Sequence, residues 1–265
     1  MQSPPLPTVI IGIPAYDNRL DIGTVYGLLS LKTAGLDFKL LTLSGDSLVT
    51  RARNRLASKF LEMKHPVTGE PYDKLMFIDS DICFKPKDLL RLLGRKDMDI
   101  VAGCYPKKRI FWNKLKDGLK SCEKEEDIEP FLLDYMFYPI LQGEKKTIKV
   151  DKSCCEVKQV CTGFTLIDRK VFTKMRDEGF ADTYKSYGYS GAENGGEEYD
   201  WFKVGVKDGI YLSEDYWFCQ IARKLGFKIY VDVDIDLTHS GIKKYNGSMS
   251  KLIRSQIKSK KNTDE

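Results

Sequence analysis

Short apolar segments alternate with amphipathic segments along the first 105 residues. Four segments rich in apolar or β-branched side chains are expected to be strands: residues 8–15, 38–43, 74–78 and 99–105. Three intervening segments repeat apolar side chains at helical spacing: residues 20–34, 47–63, with Ser47 as N-cap, and 87–93. This alternation predicts an α/β fold with a mostly parallel central sheet flanked by helices.

The second half of the chain has a less regular pattern. Residues 107–152 are charged and rich in aromatic side chains without a clear period, so we interpret them as an irregular insertion or lid. Residues 157–167 are strand-like with a break at Thr162-Gly163, and residues 184–209 are expected to form a long functional loop. A helix is predicted from Ser213 to about Leu225.

Residues 228–237 alternate between apolar residues and aspartates, which predicts a further strand. Its predicted apolar face consists of Val231, Val233, Ile235 and Leu237. The opposite, polar face consists of Asp232, Asp234 and Asp236. His239, two residues after Leu237, would lie on the same face as these apolar residues.

The positive charge is concentrated at the C-terminal end. The chain has 265 residues and a formal net charge of +5, and residues 242–265 hold seven Lys/Arg against two acids. We therefore predict one domain over residues 1–241, containing the 107–152 insertion, and a basic tail over 242–265. A solvated tail is favoured over attraction to a membrane or an acidic partner. Because the body has no basic patch with interleaved aromatics, a nucleic-acid partner is not expected.

Cysteine content and hydropathy indicate the compartment. Seven cysteines, an odd number without zinc-ligand spacing, and two histidines favour free thiols over disulfides or a zinc site. No apolar run is long enough to cross a bilayer, and the N-terminus lacks the features of a signal peptide. We expect a cytoplasmic protein without a transmembrane segment.

The strand at residues 74–78 ends in two acids, in the sequence Asp79-Ser80-Asp81. Hard divalent cations take oxygen ligands, and Mg²⁺ commonly bridges carboxylates to substrate phosphates. The alternative is a loop that merely starts the next helix, since Asp is common in turns. Ligands of parallel sheets lie outside the carboxyl ends of the strands, and Pro14-Ala15-Tyr16 also falls at such an end. The sequence therefore favours a metal-diphosphate site there.

Two further groups have both structural and chemical interpretations. Ser213-Glu214-Asp215 has the pattern of a helix cap with acids in the first turn, and it equally supplies a carboxylate base for a substrate hydroxyl. His239 is either a core or turn histidine or a neutral imidazole ligand of a metal.

Side chains that could bind a nucleotide lie near the first two strands. Arg51, Asn54 and Arg55 occupy the polar face of the second helix, which is either solvated or close enough for an arginine to hold a uracil or a phosphate. Tyr16 is either a surface aromatic or a stacking platform for a base.

Taken together, these segments resemble the GT-A family of nucleotide-sugar-dependent glycosyltransferases. The resemblance extends from Thr8 to about Gly241, and the small glycosyltransferases of large algal viruses look especially similar. The matching segments are Pro14-Ala15-Tyr16, the D-x-D motif at Asp79-Ser80-Asp81, the donor-side loop at Cys161-Thr162-Gly163-Phe164, the x-E-D motif at Ser213-Glu214-Asp215, and His239. Residues 107–152 match no part of the family.

The resemblance implies a role for each matching residue. Asp81 and His239, with diphosphate oxygens, would hold Mn²⁺ or Mg²⁺, and Asp79 would contact the ribose or reach the metal through water. Asp215 would deprotonate the acceptor hydroxyl, with Glu214 as the fallback base. The implied nucleotide-sugar site consists of Pro14, Ala15, Tyr16, Arg51, Asp79, Ser80, Thr162 and Gly163.

The implied activity is metal-dependent transfer of a sugar, with inversion, from a nucleoside diphosphate sugar such as a UDP-sugar to a hydroxyl of a glycan or glycoprotein. A viral protein of this kind would act in the host cytoplasm. Two alternatives remain. A sugar nucleotidyltransferase shares the fold and metal carboxylates but usually needs a Gly-rich basic phosphate loop, which residues 12–16 do not provide. The other alternative is a non-catalytic nucleotide-sugar-binding protein.

Overall fold

A large mixed β-sheet with helices on both faces organises the protein. The computed structural model describes residues 6–144, 147–185 and 197–242. The predicted basic tail, apart from Ile242, lies outside the described residues, as do residues 186–196 of the predicted loop.

The predicted order of strands and helices is present over the first 105 residues. The α-helices of the described residues are α1 (Ile22–Thr33), α2 (Val49–Glu62), α3 (Pro86–Leu93), α4 (Leu115–Ser121), α5 (Arg169–Asp177) and α6 (Glu214–Lys224). The strands are β1 (Val9–Ala15), β2 (Phe38–Ser44), β3 (Lys74–Ile78), β4 (Ile82–Cys83), β5 (Ile100–Ala102), β6 (Phe137–Pro139), β7 (Leu141–Gln142), β8 (Thr147–Ile148), β9 (Val150–Asp151), β10 (Cys154–Val160), β11 (Phe164–Asp168), β12 (Thr183–Tyr184), β13 (Glu198–Tyr199), β14 (Gly205–Lys207), β15 (Ile210–Leu212), β16 (Ile229–Asp232) and β17 (Thr238–His239). Short 3₁₀ helices span Trp112–Lys114, Glu125–Asp127 and Glu129–Leu132.

The central sheet has nine strands within the described ranges, in the order β2-β1-β3-β11-β5-β16-β10-β6, with β9 also paired to β10. Seven of the nine run in one direction, which agrees with the predicted mostly parallel sheet. β10 and β11 run the other way. The start of an antiparallel strand lies at the same sheet edge as the ends of its neighbours. The turn before β11 is therefore brought to the edge where β3 ends, which we call the carboxyl edge.

Both faces of the sheet are covered by apolar side chains. On one face, Ile10 of β1 packs in a cluster with Phe60 of α2, Phe172 of α5 and Phe218 of α6. On the other face, a second cluster joins the alternate β1 residues to α1 and α3: Val9, Ile11, Ile13, Leu28, Leu31, Leu89 and Leu92. Successive strand side chains point to opposite faces, so a strand buried on both faces is continuously apolar, as β1 is.

The start of α1 holds the loop that follows β3. Asp21 N donates to Ser80 O (2.8 Å), and Thr24 Oγ1 donates to Ile82 O (2.8 Å). Gly23 and Gly27 let the helix approach closely, since a Cβ at Gly27 would lie 2.8 Å from the Phe84 ring. These hydrogen bonds and the close approach at Gly23 and Gly27 together hold residues 80–84 against the start of α1.

The predicted strand over residues 228–237 is wrong beyond Asp232. β16 ends there, and Asp232, predicted on a polar face, is fully buried and paired with Arg91 and Arg95. Val233, predicted on the apolar face, is 46% exposed. The chain turns at this point, with Asp234 N donating to Asp232 Oδ1 (3.2 Å), so the alternation in the sequence does not reflect one continuous strand.

The predicted cap of α2 is also wrong. The N-cap residue is Leu48 rather than Ser47, and the side chain of Asp46 accepts from Leu48 N (3.0 Å).

Residues 107–152 contain the 3₁₀ helices and α4, and they supply β6 and β9, which pair with β10 of the central sheet. Among the described residues, no helix is both long enough and apolar enough to span a membrane.

Gly27→Ala should lower the free energy of unfolding by about 1–3 kcal/mol, because the added methyl group overpacks against Phe84. This loss should exceed the helix-propensity gain of up to ~1 kcal/mol. Urea denaturation followed by circular dichroism measures it. Thr33→Ala, at an exposed position of the same helix, should change stability by less than about 0.5 kcal/mol. A stabilised Gly27→Ala protein would contradict the close packing of α1 on Phe84.

Candidate functional site

A cavity of about 270 Å³ opens at the carboxyl edge of the sheet. β1 and β3 are adjacent and parallel, so the segments that follow them meet. Seven of the residues predicted from the sequence line this cavity: Pro14, Ala15, Tyr16, Asp79, Ser80, Asp81 and His239. Tyr16 is 64% exposed and free to pack on a ligand. The structure thus brings together residues from both ends of the chain.

Asp81 contacts two basic side chains. His239 reaches it because β17 pairs with β4, which directly follows Asp81, and His239 Nε2 lies 3.6 Å from Asp81 Oδ1. The other carboxylate oxygen forms an ion pair with Lys108 Nζ. Burial by itself would raise the pKa of Asp81, but hydrogen bonds from His239 and Lys108 outweigh it and lower this pKa to about 2. Asp81 is therefore ionised at neutral pH.

His239 has the tautomer of a metal ligand. Its Nδ1 lies 2.8 Å from Pro106 O, and a carbonyl oxygen only accepts, so Nδ1 carries the proton. In the protonated ring, Nε2 also donates toward Asp81, whereas in the neutral ring it carries a lone pair that a cation between the two groups would accept. Metal-binding histidines commonly donate their second ring N–H to a backbone carbonyl in this way. Asp81 and His239 therefore fit a divalent ion that completes its coordination with ligands from outside the chain.

The described residues do not form a metal site without ligands from outside the chain. No group of three or more His, Cys, Asp or Glu residues within the described ranges is placed to hold a metal ion. Asp79, expected to contact the ribose or to reach the metal through water, accepts a hydrogen bond from Arg53 Nη2 on its Oδ1 (2.8 Å).

Arg53 joins the two acidic motifs. It extends from α2 with 4% of its side chain exposed, and its Nε lies 3.5 Å from Glu214 Oε1 while Nη2 binds Asp79. Burial disfavours the charged guanidinium, but Asp79 and Glu214 more than offset this and hold the pKa of Arg53 above its usual value. The guanidinium also lies over the Phe77 ring, 5.5 Å from its centroid.

Glu214 and Asp215 face different surroundings. Burial raises the pKa of Glu214, with the nearby Arg53 acting in the opposite direction. Asp215 turns back on the start of its own helix, where it accepts from Tyr216 N (2.8 Å) and from the Ser213 hydroxyl. Its charge, together with burial, raises the pKa of the Cys161 thiol. Of the two acids, Glu214 is the one connected to Asp79 through Arg53.

The turn before β11 packs directly on Asp79. Asp79 N donates to Gly163 O (2.9 Å), and Gly163 N donates to the Tyr105 hydroxyl (3.2 Å). A Cβ at Gly163 would collide with the Tyr105 hydroxyl and the Asp79 carboxylate, so only glycine fits. Thr162 is buried, and its Oγ1 has no hydrogen-bond partner within the described part of the chain. The Tyr105 ring also contacts the His239 ring edge-on, with centroids 5.1 Å apart.

Three predicted polar residues of α2 lie away from Asp79. Arg51 pairs with Asp46 (2.7 Å), and Arg55 pairs with Glu198 (2.9 Å). Asn54 is 2% exposed, so its expected place on a solvated face is wrong; it donates to Asp200 (2.7 Å) and accepts from Phe202 N (2.8 Å). Arg51 is connected to the small cavity through Asp46, which lines it.

Sequence reasoning missed Arg53, Tyr105 and Lys108. Arg53 had a detectable signal, since it lies three residues before Leu56 and seven before Phe60, on the buried stripe of α2. A charged residue on such a stripe requires a buried partner. Tyr105 falls at the end of the strand predicted over 99–105, but β5 ends at Ala102, and Lys108 lies in the 107–152 segment, which has no regular pattern.

A second, larger groove adjoins the cavity. It encloses about 1630 Å³ between residues 104–135 and residues 235–242. Ser80, Asp81 and His239 line both spaces, so the groove and the cavity meet at Asp81. Trp112, 64% exposed, also lines the groove.

Comparisons with known proteins identify a shared fold. No protein-family model matches the chain, and no curated protein matches it. The crystal structure of A197 from STIV is similar, with a TM-score of 0.51 and 18% identity over 89% of this chain and 86% of that chain. The inositol-1-phosphate CTP transferase from T. maritima gives a TM-score of 0.41 and 12% identity over 95% of this chain and 96% of that chain. The similarity to A197 supports the fold, and the sheet with its flanking helices is consistent with a GT-A-like fold.

Arg53→Ala should lower the free energy of unfolding by about 3 kcal/mol, because Asp79 and Glu214 lose their shared counter-ion in a partly buried site. Chemical denaturation measures the loss. Arg176→Ala, which removes an exposed ion pair with Asp177, should cost less than about 1 kcal/mol. Equal losses for the two variants would contradict the role of Arg53 as the shared counter-ion.

Proposed function

We propose that the protein is a divalent-metal-dependent glycosyltransferase. It takes a nucleoside diphosphate sugar, in the first place a UDP-sugar, and transfers the sugar to a hydroxyl of a glycan or glycoprotein. The main support is that the end of β1, Asp79-Ser80-Asp81 and His239 line one cavity. In this proposal, the end of β1 would offer a surface for a base or ribose beside ligands for a cation that would neutralise a diphosphate.

Each part of the cavity has a proposed task. Tyr16, exposed at the end of β1, would stack on the base, and Asp79, oriented by Arg53, would accept from the ribose. Asp81 and His239 would hold Mn²⁺ or Mg²⁺. When bound, the ion acts as a Lewis acid toward the charge that develops on the leaving diphosphate. The backbone of Thr162 and Gly163, packed on Asp79, would face the donor sugar.

The acceptor base is proposed to be Asp215, with Glu214 as the fallback, and the product would have inverted anomeric configuration. The two acids differ in their contacts, and therefore in how well each is suited to act as the base. Asp215 is held by Ser213 and by Tyr216 N, whereas Glu214 is connected to Asp79 through Arg53. A buried carboxyl with a raised pKa, as in Glu214, is suited to proton transfer near neutral pH. Substitution of each acid separates the two assignments.

The groove beside the cavity is the proposed acceptor side. It shares Asp81 with the cavity, so a hydroxyl bound there would approach the donor where the metal and diphosphate lie. Part of the stretch from 106 to 135 lines one wall of the groove, and the lid proposed over residues 107–152 would cover the acceptor there.

Asp81→Ala should abolish the Mn²⁺-dependent part of UDP binding in isothermal titration calorimetry, because the carboxylate that lies beside His239 is removed. Asp117→Ala, at an exposed position in α4, should bind as the wild type does. Unchanged Mn²⁺-dependent binding by the Asp81 variant would exclude this metal site.

Asp215→Asn should retain UDP-sugar binding and lose about a hundredfold or more in transfer rate, the usual contribution of a general base. Glu214→Gln is the matched comparison, since both changes remove one negative charge and preserve shape. Donor binding and product formation are measured for both. Transfer that survives in Asp215→Asn but fails in Glu214→Gln would assign the base to Glu214.

A further inference from the structure

Asp81 forms an ion pair with Lys108, a positive charge that the protein itself supplies. We propose that Lys108 is the counter-cation of Asp81 when no divalent ion is bound, so that metal binding there is an exchange of one cation for another. This inference rests on the proposed function, in which Asp81 and His239 hold the metal.

The contact between Lys108 and Asp81 is supported by the surrounding backbone. The stem of Lys108 crosses Gly241, where a Cβ would lie 2.7 Å from Lys108 Cδ. A Cβ at this position would require the Lys108 side chain to shift. Ser240 N, in the preceding residue, donates to Asp81 O (2.9 Å) and keeps this strand end beside the carboxylate. The Lys108 side chain therefore passes close to the backbone at Gly241 on its way to Asp81.

The turn that holds Lys108 also orients His239. Pro106 O accepts the proton of His239 Nδ1, two residues before the lysine. The turn is anchored to residues 132–134, since Lys107 N donates to Asp134 O (2.8 Å) and Phe111 N donates to Leu132 O (2.8 Å). One segment thus sets the histidine tautomer that suits a metal and supplies the ammonium that takes the metal's place.

Electrostatics make the two cations mutually exclusive. An ammonium on Asp81 Oδ2 repels a divalent ion approaching Oδ1 and Nε2 of His239, because all these atoms share one small site. Asp81 and Lys108 are 36% and 40% exposed at their side chains, and ion pairs at such positions are weak. A metal ion that brings a diphosphate with it can therefore displace the lysine. The lysine therefore makes binding of the metal ion depend more strongly on the simultaneous presence of the diphosphate.

The test is Mn²⁺ binding to the full chain, measured by electron paramagnetic resonance of free Mn²⁺, with no nucleotide present. Lys108→Gln should bind Mn²⁺ about fivefold more tightly than the wild type, a factor in keeping with the strength of a half-exposed ion pair. Lys108→Arg retains the positive charge and should show no such gain. Lys107→Gln, the exposed neighbour, is the control for loss of a charge near the groove and should bind as the wild type does.

The outcomes separate this inference from the proposed function. Equal Mn²⁺ affinity in wild type and Lys108→Gln, with binding still lost in Asp81→Ala, would overturn the exchange and leave the metal site intact. Loss of metal-free UDP binding in Lys108→Gln without any gain in Mn²⁺ affinity would show that the lysine replaces the metal permanently, which also overturns the exchange. No binding of Mn²⁺ by any variant, with or without UDP, would overturn the proposed function and this inference together.

Discussion

The buried guanidinium of Arg53 is the interaction on which the site depends. Asp79 follows β3 and Glu214 begins α6, two elements far apart in sequence, and removing the counter-ion that these partly buried carboxylates share would leave both without a partner for their charge. Arg53 supplies it from α2, whose apolar side chains fill the core beneath. The core and the site are therefore coupled through α2. Packing of Leu56 and Phe60 in the core sets the position of this helix, and the helix in turn sets the position of the Arg53 guanidinium.

The sheet topology brings the remaining groups together. β1 and β3 run in parallel and end at one edge, while the reversed strand β11 starts at that edge, so Gly163 meets Asp79. β17 returns the chain to β4 and places His239 beside Asp81. The carboxyl edge thus collects segments from the start, middle and end of the chain. Asp81 stays accessible there to two competing kinds of cation, an ammonium and a divalent metal, because it is only partly buried.

Much of the first half of the fold follows from local pattern. β3 matches its predicted range, and β1, β2, α1 and α3 differ by one or two residues at their ends, because a doubly covered sheet requires apolar strands and amphipathic helices. Residues 228–237 show where this reasoning fails. Alternating Val and Asp suit a half-exposed strand, yet Asp232 is buried against Arg91 and Arg95, whose positions no local pattern shows. The same limit applies to Asn54, whose buried partners lie about 150 residues away.

By itself, the sequence determined that two acids follow an apolar strand, that a second acidic pair begins a helix, and that a histidine lies near the end of the domain predicted over residues 1–241. These are properties of neighbouring residues, and local backbone preferences and hydrophobic periodicity are enough to place them. Only the tertiary structure decided that Arg53 holds the two acidic motifs together, that Glu214 rather than Asp215 points toward Asp79, and that Lys108 pairs with Asp81. Those outcomes depend on strand order and on the distances between loops at one edge of the sheet, which arise from packing the whole chain and leave no periodic signal in the sequence.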